Sequence, residues 1–306
     1  MAKKKEQVVR GAEVNSDGSR AINKFKVSDF VMMTILVVLC ATCIIPFLHL
    51  LAKSISGNTA VLSKSVYLLP KDINFEAYKA VFNDGQLVHS MIYSVGVTLT
   101  FTVLGLIATV FAAYPLSRRR LKGRTVITFI IMFTMYFSAG LIPEYLLIND
   151  LHLLDNTWAL ILPLIFAPYN FLIMKTFFLG SIPDSLEESA YLDGASNIQI
   201  LWKIVIPLSK PILATISLFL AVGRWNAYTD SMYYINTKSK HMIQYLLYQM
   251  VLASSDISLN DPNAAQMNSE VLQAASVMFV TIPIICIYPF VQKYFVKGAM
   301  IGAVKG

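Results

Sequence analysis

The sequence contains few charged residues. Asp, Glu, Lys and Arg make up 14% of its 306 residues, whereas hydrophobic residues make up 56% and the mean hydropathy is +0.60. A typical soluble domain has about 25% charged residues. The composition therefore excludes an ordinary soluble protein and indicates that a lipid bilayer is the solvent. We attribute the formal net charge of +7 to basic residues that orient the chain in the membrane, so we expect no nucleic-acid partner.

Cysteine and histidine are also scarce. Cys40 and Cys43 lie in one apolar run and Cys286 in another, so burial among hydrophobic side chains is favoured over a metal or redox site. The four histidines are scattered, and no cluster of His, Asp or Glu shows the spacing of metal ligands or of an acid–base pair. These features argue against a membrane enzyme, and we expect neither catalytic residues nor a metal site.

The sequence has no nucleotide-binding loop of the type G-x-x-x-x-G-K-[ST]. The glycine-rich stretch 298–306 has the wrong spacing, so we expect no cofactor bound by this chain. A secondary transporter would need more spans or an inverted repeat, together with ion-coupling acids near the middle of the membrane. Neither feature is found, which disfavours that class.

Six apolar stretches are long enough to cross a bilayer as helices of at least about 30 Å. They cover 28–51, 87–114, 125–147, 157–179, 211–234 and 273–296. Helices are expected because they satisfy their own backbone hydrogen bonds in lipid. The predicted fold class is therefore an all-α integral membrane protein with six transmembrane helices.

The distribution of Lys and Arg predicts the orientation. Basic residues are concentrated in 1–27, in the connection 115–124 and after residue 290, which six spans place on one side of the membrane. Since basic segments stay in the cytoplasm, both termini are predicted to be cytoplasmic. We divide the chain into a basic segment (1–27), a six-span domain (28–296) and a cytoplasmic tail (297–306).

A polar segment, 182–207, separates the fourth and fifth predicted spans on this cytoplasmic side. Asp184 and Ser185 can each form a capping box with the glutamate three residues later, and Gly194 suits a left-handed turn. A second capping box, Ser196 to Gln199, begins another helix, which should end before Pro207. The segment is thus predicted to form two short helices joined at Gly194.

The polar segment is compatible with two roles. An amphipathic hairpin could lie on the lipid headgroups, but its first helix is acidic and anionic lipid would repel it. A docking element for another protein is therefore the favoured interpretation.

The segment resembles the EAA loop of the permease subunits of binding-protein-dependent ABC importers. That pattern is Glu-Ala-Ala, three residues, Gly, nine residues, Ile, one residue, Leu-Pro. This sequence has Glu188-Ser189-Ala190, Gly194, Ile204 and Ile206-Pro207 with every spacing kept. It departs from the pattern in Ser189 for Ala and Ile206 for Leu, which are small changes of size.

The similarity extends over about 28–306. The stretches 140–148, 156–163, 225–226 and 296–306 resemble the carbohydrate-importing branch, most of all the LplC/YtcP-like group, which is similar to the second maltose-type permease subunit. The resemblance implies residence in the bacterial cytoplasmic membrane. It also implies a second permease subunit, a sugar-binding protein, a carbohydrate substrate and ABC ATPase subunits that bind ATP and Mg.

In that family the EAA loop forms the coupling helix, which docks on the separate ATPase. By resemblance, the docking and positioning residues are Glu188, Ser189, Ala190, Asp193, Gly194, Ala195, Ile204 and Pro207. The resemblance also implies that ATP-driven closure of the ATPases is transmitted through this loop as rigid-body motion.

Candidate residues of the translocation pathway lie mainly at the end of the fifth predicted span. They are Arg224, Trp225, Asn226 and Tyr228, with Tyr136 of the third span as a weaker candidate. Aromatic and amide groups suit a sugar, but an aromatic belt with Arg224 reaching the interface is an equal alternative. For Tyr136, core packing is the alternative. The long loop 235–272, with a predicted helix over 242–250, would contact the binding protein by resemblance or serve as a simple lid.

Overall fold

The structure, a computed structural model, describes residues 27–260 and 270–286, with side chains for 28–252 and 270–286. Met1–His49 and Leu50–Gly306 form two separate units. The predicted tail 297–306, residues 287–296 of the sixth predicted span and nearly all of the predicted basic segment lie outside the described residues.

Every regular element in the described ranges is helical. The α-helices are α1 (Val27–Ser54), α2 (Asn58–Leu62), α3 (Glu76–Asn83), α4 (Gly85–Ser117), α5 (Arg124–Phe133), α6 (Leu141–Asp150), α7 (Pro168–Ser181), α8 (Asp184–Leu192), α9 (Asn197–Leu208), α10 (Lys210–Asn226), α11 (Thr229–Tyr234), α12 (Ile243–Asn260) and α13 (Glu270–Cys286). Short 3₁₀ helices cover Thr157–Leu160 and Lys238–Lys240. The predicted all-α class is confirmed for this part of the chain.

Two of the described helices, α1 and α4, are long and apolar enough to cross a membrane. The pair α9 and α10, which bends by 83° at a short break, would count as a third if it is one span. Helix α4 is capped by Asp84, whose carboxylate accepts from the backbone N–H groups of Gln86 and Leu87 at 2.9 and 3.1 Å. This cap satisfies two of the N–H groups that have no partner within the helix.

The main core is built where α4 packs against α7 and α10. Its fully buried side chains include Phe171, Phe178 and Ile216. Burial of an aromatic or aliphatic side chain of this size contributes about 1.5–3 kcal/mol to stability in water. The same core continues into the polar segment through Ile200, Leu201 and Val205, so this segment packs on the body of the protein.

The predicted third span, 125–147, is not one continuous helix. It divides into α5 and α6, with a turn over 134–140 between them. Pro143 lies in the first turn of α6, where its missing N–H and fixed φ favour a new helix start. The Ser138 hydroxyl accepts from the backbone N–H of Gly140 at 3.2 Å, which supports the turn ahead of that start.

The fourth and fifth predicted spans are interrupted as well. Residues 157–179 form a 3₁₀ turn and then α7, which begins at Pro168; Asn156 caps the turn by accepting from the N–H of Trp158 at 3.1 Å. Residues 211–234 divide into α10 and α11, with the break at Ala227 and Tyr228. The predicted helix over 242–250 is confirmed and begins at Ile243.

Candidate functional site

The polar segment 182–207, called the hairpin below, folds into the two predicted short helices. Helix α8 ends at Leu192, and Gly194 adopts φ +80°, the left-handed conformation predicted for it. Ser196 then caps α9: its hydroxyl accepts from the N–H of Gln199 at 3.3 Å, and the Gln199 side chain accepts from the N–H of Ser196 at 2.9 Å. The second capping box is therefore confirmed.

Two local predictions for the hairpin are wrong. Neither capping box at the start of α8 forms, because Pro183 occupies the N-cap and offers no side-chain acceptor. Helix α9 also does not end before Pro207 but runs to Leu208. A π-helical turn over Leu201–Val205 precedes the proline. This wider turn shifts the hydrogen-bond register, which accommodates a residue that lacks an N–H.

Arg118, at the end of α4, forms ion pairs with the first helix of the hairpin. The side chains of Arg118 and Glu187 are 5% and 6% exposed, and Nη2 lies 3.1 Å from Oε1. Asp184 lies 3.8 Å from the same guanidinium, whose Cζ is 5.1 Å from the centre of the Tyr114 ring. The N–H bonds of Nη2 are not aligned with the Glu187 carboxylate, so the pair is held by charge attraction without a formed hydrogen bond.

A second arginine contacts the turn of the hairpin. Arg120 lies over the ring of Tyr191, with Cζ 4.5 Å from its centre, and donates to Oδ1 of Asn197. The Tyr191 hydroxyl donates to the same oxygen. Asn197 therefore joins both helices of the hairpin to the connection after α4.

The sequence analysis missed this role for Arg118 and Glu187. The arginine was counted only as a charge that orients the chain in the membrane. Glu187 lies three residues before Ala190, which is 8% exposed, so helical periodicity places both on the same inward side of α8. This spacing was the feature of the sequence from which the burial of Glu187 could have been predicted.

The eight predicted docking and positioning residues divide into two groups. Glu188, Ser189, Asp193, Gly194 and Pro207 are exposed, whereas Ala190 is buried and Ala195 and Ile204 are half-buried against the main core. Next to the exposed group lies Leu192, which is 89% exposed at the end of α8. The tip of the hairpin thus presents a large apolar side chain between acidic and small residues.

Four of the five predicted pathway residues lie at the break between α10 and α11, which is called the corner below. Arg224 is buried and pairs with Asp230 through two hydrogen bonds, one of them 2.9 Å long, and Nη1 also donates to the carbonyl of Leu160 at 2.8 Å. Trp225 is 5% exposed, in a cluster with Leu87. Both side chains are enclosed by this chain itself.

The other three pathway candidates are more open. Asn226 is exposed, Tyr228 is half-buried and stacks on Tyr248 with ring centres 4.8 Å apart, and Tyr136 is 79% exposed. Tyr136 is not brought close to the corner by any described contact. Their role in translocation stays a prediction.

Asp155 binds the start of the 235–272 loop through hydrogen bonds. Its carboxylate accepts from the backbone N–H groups of Asn236 and Thr237 at 3.2 and 2.9 Å and from the Thr237 hydroxyl. The side-chain bond from Thr237 is the main reason why the pKa of Asp155 is lowered. His241 packs against Tyr245 nearby, and burial lowers its pKa.

No group of three or more His, Cys, Asp or Glu side chains is placed to hold a metal ion within the described ranges 27–260 and 270–286. The contacts described above are made by helix ends, ion pairs and exposed apolar groups.

Residues 102–300 match the family model described as binding-protein-dependent transport system inner membrane component. The chain belongs to this family and is a transport permease subunit of the ABC importer class, a multi-pass protein of the inner membrane and not an enzyme.

The relatives confirm the resemblance to carbohydrate-importing permeases. The chain is 40% identical over 289 residues to the polygalacturonan/rhamnogalacturonan transport system permease protein YtcP of Bacillus subtilis (strain 168), covering 92% of this chain and 100% of the relative. It is 41% identical over 271 residues to Protein LplC of the same organism, covering 87% and 90%.

A solved structure shares the fold. It is the crystal structure of a bacterial ABC transporter involved in the import of the acidic polysaccharide alginate, which matches with a TM-score of 0.80 and 37% identity. The match covers 89% of this chain and 99% of that chain.

Proposed function

We propose that this chain is the membrane subunit of an ATP-driven importer for an oligosaccharide or another carbohydrate, delivered by an extracytoplasmic binding protein. The chain crosses the membrane six times, with both termini in the cytoplasm, and pairs with a second permease subunit. The names of the relatives, which transport polygalacturonan, rhamnogalacturonan and alginate, support a carbohydrate substrate. ATP and Mg bind on separate ATPase subunits.

The hairpin is the part that docks on the ATPase. One observation carries this proposal: the tip exposes 89% of Leu192, flanked by Glu188 and Asp193, on a segment whose other side is packed into the core. Protein interfaces commonly bury apolar side chains at their core within a polar rim, and Leu192 beside two acidic residues fits that arrangement. Motion of the ATPase would reach the spans through the packed side.

The exposed half of the predicted set would form the contact itself. Ser189 and Gly194 are small and exposed, so a partner backbone can approach them closely. Ala190, Ala195 and Ile204 would instead fix the tip on the core, since they face it. Sugar would pass near Asn226 and Tyr228, and the 235–272 loop would face the binding protein.

The test uses the assembled importer reconstituted in lipid, with uptake and ATP hydrolysis measured together. We expect Leu192→Ser to weaken ATPase binding by about tenfold or more, because it removes a central apolar contact. Leu69→Ser, at a leucine that is 79% exposed outside the hairpin, is the matched control and should bind normally. Equal binding by both variants would contradict the docking role.

Gly194→Val tests the turn. A side chain at φ +80° is strained by about 1–2 kcal/mol, and valine also adds bulk at the tip. We expect lost uptake with normal membrane insertion. Gly123→Val has the same φ and open surroundings in another turn, so it imposes similar strain away from the tip and should keep uptake. Uptake of a panel of oligosaccharides with and without this chain would identify the substrate.

A further inference from the structure

A cavity of about 340 Å³ lies between the end of α4 and the start of α9. Its walls are mostly apolar and include Phe111, Leu121, Ile198 and Leu201. Phe111 is 52% exposed and Ile198 67% exposed, so the apolar wall continues onto the outer surface of the chain. The cavity therefore opens onto the exposed apolar surface of α4.

Polar donors without partners lie in the same walls. Nε of Arg118 and the hydroxyl of Tyr114 are buried and make no hydrogen bond to any described residue, although both side chains line the cavity. The side chain of Arg118 is only 5% exposed. Buried donors of this kind cost about 1–3 kcal/mol each when left unpaired, so a ligand with acceptor oxygens would be stabilised here.

The charge around the cavity is positive. Arg118 and Arg120 line it, and Arg119 adjoins them in the chain, whereas the carboxylates within reach are Glu187 and Asp184. Glu187 approaches only Nη2 of Arg118, which leaves Nε free. Arg120 adds a second guanidinium that is bound to neutral groups, Tyr191 and Asn197.

We propose that this cavity binds an anionic phospholipid, with the phosphate on Arg118, Arg120 and Tyr114 and an acyl chain along Phe111 and Ile198. A guanidinium group binds phosphate oxygens through charged hydrogen bonds. Basic pockets between membrane helices on the cytoplasmic side suit such headgroups. Free phosphate shares the headgroup chemistry but would leave the apolar wall uncovered, and a lipid covers both parts.

Occupancy of the cavity would affect the hairpin. Arg118 pairs with Glu187 on α8, and Arg120 contacts Tyr191 at the end of α8 and Asn197 at the start of α9. A phosphate between these arginines would hold the end of α4 against the hairpin. The lipid site rests on the cavity alone and does not require the hairpin to dock on an ATPase.

The test uses the assembled importer in nanodiscs of phosphatidylcholine with and without a photoactivatable phosphatidylglycerol. We expect the label on 111–121 and 197–201, and we expect Arg120→Gln to reduce labelling by about tenfold. Arg119→Gln is the matched control, because its side chain is 83% exposed and does not line the cavity. It should keep nearly full labelling.

Tyr114→Phe, which removes a single hydroxyl from the cavity, gives a second measurement. If the cavity binds lipid, the variant should label more weakly, since one phosphate contact is lost. If the cavity is empty, the variant should label as before and unfold at a higher temperature, because an unpaired buried hydroxyl has been removed.

Four results would overturn the proposal. One is labelling outside these segments, and another is equal labelling of Arg119→Gln and Arg120→Gln. The third is displacement of the lipid by inorganic phosphate alone, and the fourth is protection of the cavity by the ATPase in place of lipid. ATP hydrolysis measured on the same samples separates a failure of the lipid site from a failure of hairpin docking.

Discussion

Two buried arginines of this chain are paired with carboxylates in very different ways. In the corner, Arg224 makes two hydrogen bonds to Asp230, six residues away, and a third to the Leu160 carbonyl. At the hairpin, Arg118 approaches Glu187, 69 positions away in the chain, without a formed hydrogen bond. The corner closes a local turn, whereas the hairpin pair joins two separate parts of the chain.

The difference indicates different mechanical properties. A pair with several formed hydrogen bonds has one favoured geometry, and departures from it leave buried groups unpaired. A pair held by charge attraction and by contact with an aromatic ring tolerates small displacements at a modest cost. We therefore expect the corner to be rigid and the hairpin joint to permit movement relative to α4, as a part that transmits motion requires.

The largest effect is expected from Asp230→Ala. This change leaves the buried Arg224 guanidinium without its carboxylate, which costs about 3–5 kcal/mol. We expect a large fall in the thermal unfolding temperature of the purified importer and little protein in the membrane. Asp150→Ala, at an exposed aspartate, is the control and should behave like the unchanged protein.

A double variant separates structure from transport at the corner. Arg224→Met with Asp230→Leu replaces the pair by apolar groups and should recover most of the stability. If uptake also recovers, Arg224 does not contact the sugar and its place among the pathway candidates must be withdrawn. If stability recovers without uptake, the pathway prediction for Arg224 gains support.

A smaller loss of stability is expected from Glu187→Ala, about 1–3 kcal/mol, because Arg118 keeps Asp184 and the Tyr114 ring as partners. The ratio of sugar transported to ATP hydrolysed should fall, because the joint with α4 is weakened. Glu188→Ala changes the adjacent, exposed glutamate and should leave the unfolding temperature unchanged while it weakens ATPase binding. The comparison between hairpin and corner fails if Glu187→Ala destabilises the protein as much as Asp230→Ala.

The smallest effect on stability is expected from a change of pH, and it should act through His241. Burial lowers the pKa of His241, so the unfolded chain takes up a proton before the folded protein does as the pH falls. The stability contribution is therefore present above the ordinary histidine pKa of about 6.5 and is lost as the pH falls below it toward the lowered pKa of the folded protein. Neighbouring Asp155 opposes this lowering and Lys238 adds to it.

The measurement is the unfolding temperature across this pH window. His241→Gln should flatten the decline, whereas His152→Asn, at an exposed histidine, should not. The hairpin contains no histidine, so ATPase binding should change less than the unfolding temperature. The lowered pKa of Asp155 adds a further loss only at more acidic pH, as the pH falls below its ordinary value of about 4.

Local signals in the sequence predicted the main features of the hairpin, although not the N-cap of α8 or the end of α9. Gly194, the Ser196 capping box and the two short helices follow from contacts within a few residues, and each was predicted. The anchoring of the hairpin could not be predicted in the same way, since Arg118 and Glu187 meet only after α4 and α8 have packed together. Counting charges indicated only that Arg118 helps to orient the chain in the membrane, and it gave no reason to expect a buried arginine.

The interruptions of the spans were missed for a related reason. Hydropathy registers how apolar a stretch is and does not register where its backbone turns. In the structure Pro143 lies in the first turn of α6 and Pro168 begins α7, so both prolines mark new helices inside predicted spans. The enclosure of Arg224 was missed because Asp230 lies beyond a helix break that the sequence analysis did not include.

The π-helical turn at Leu201–Val205 sets the direction in which the hairpin tip faces. Each residue of an α-helix advances the chain by about 100° around its axis, so a turn with an extra residue offsets everything on one side of it by that angle. We expect that deleting a single residue of the π-helical turn would restore ordinary helical winding and point Leu192 away from its present side. The number of residues between Gly194 and Ile204, which is nine, therefore determines the angle at which the tip faces as well as its distance from Ile204.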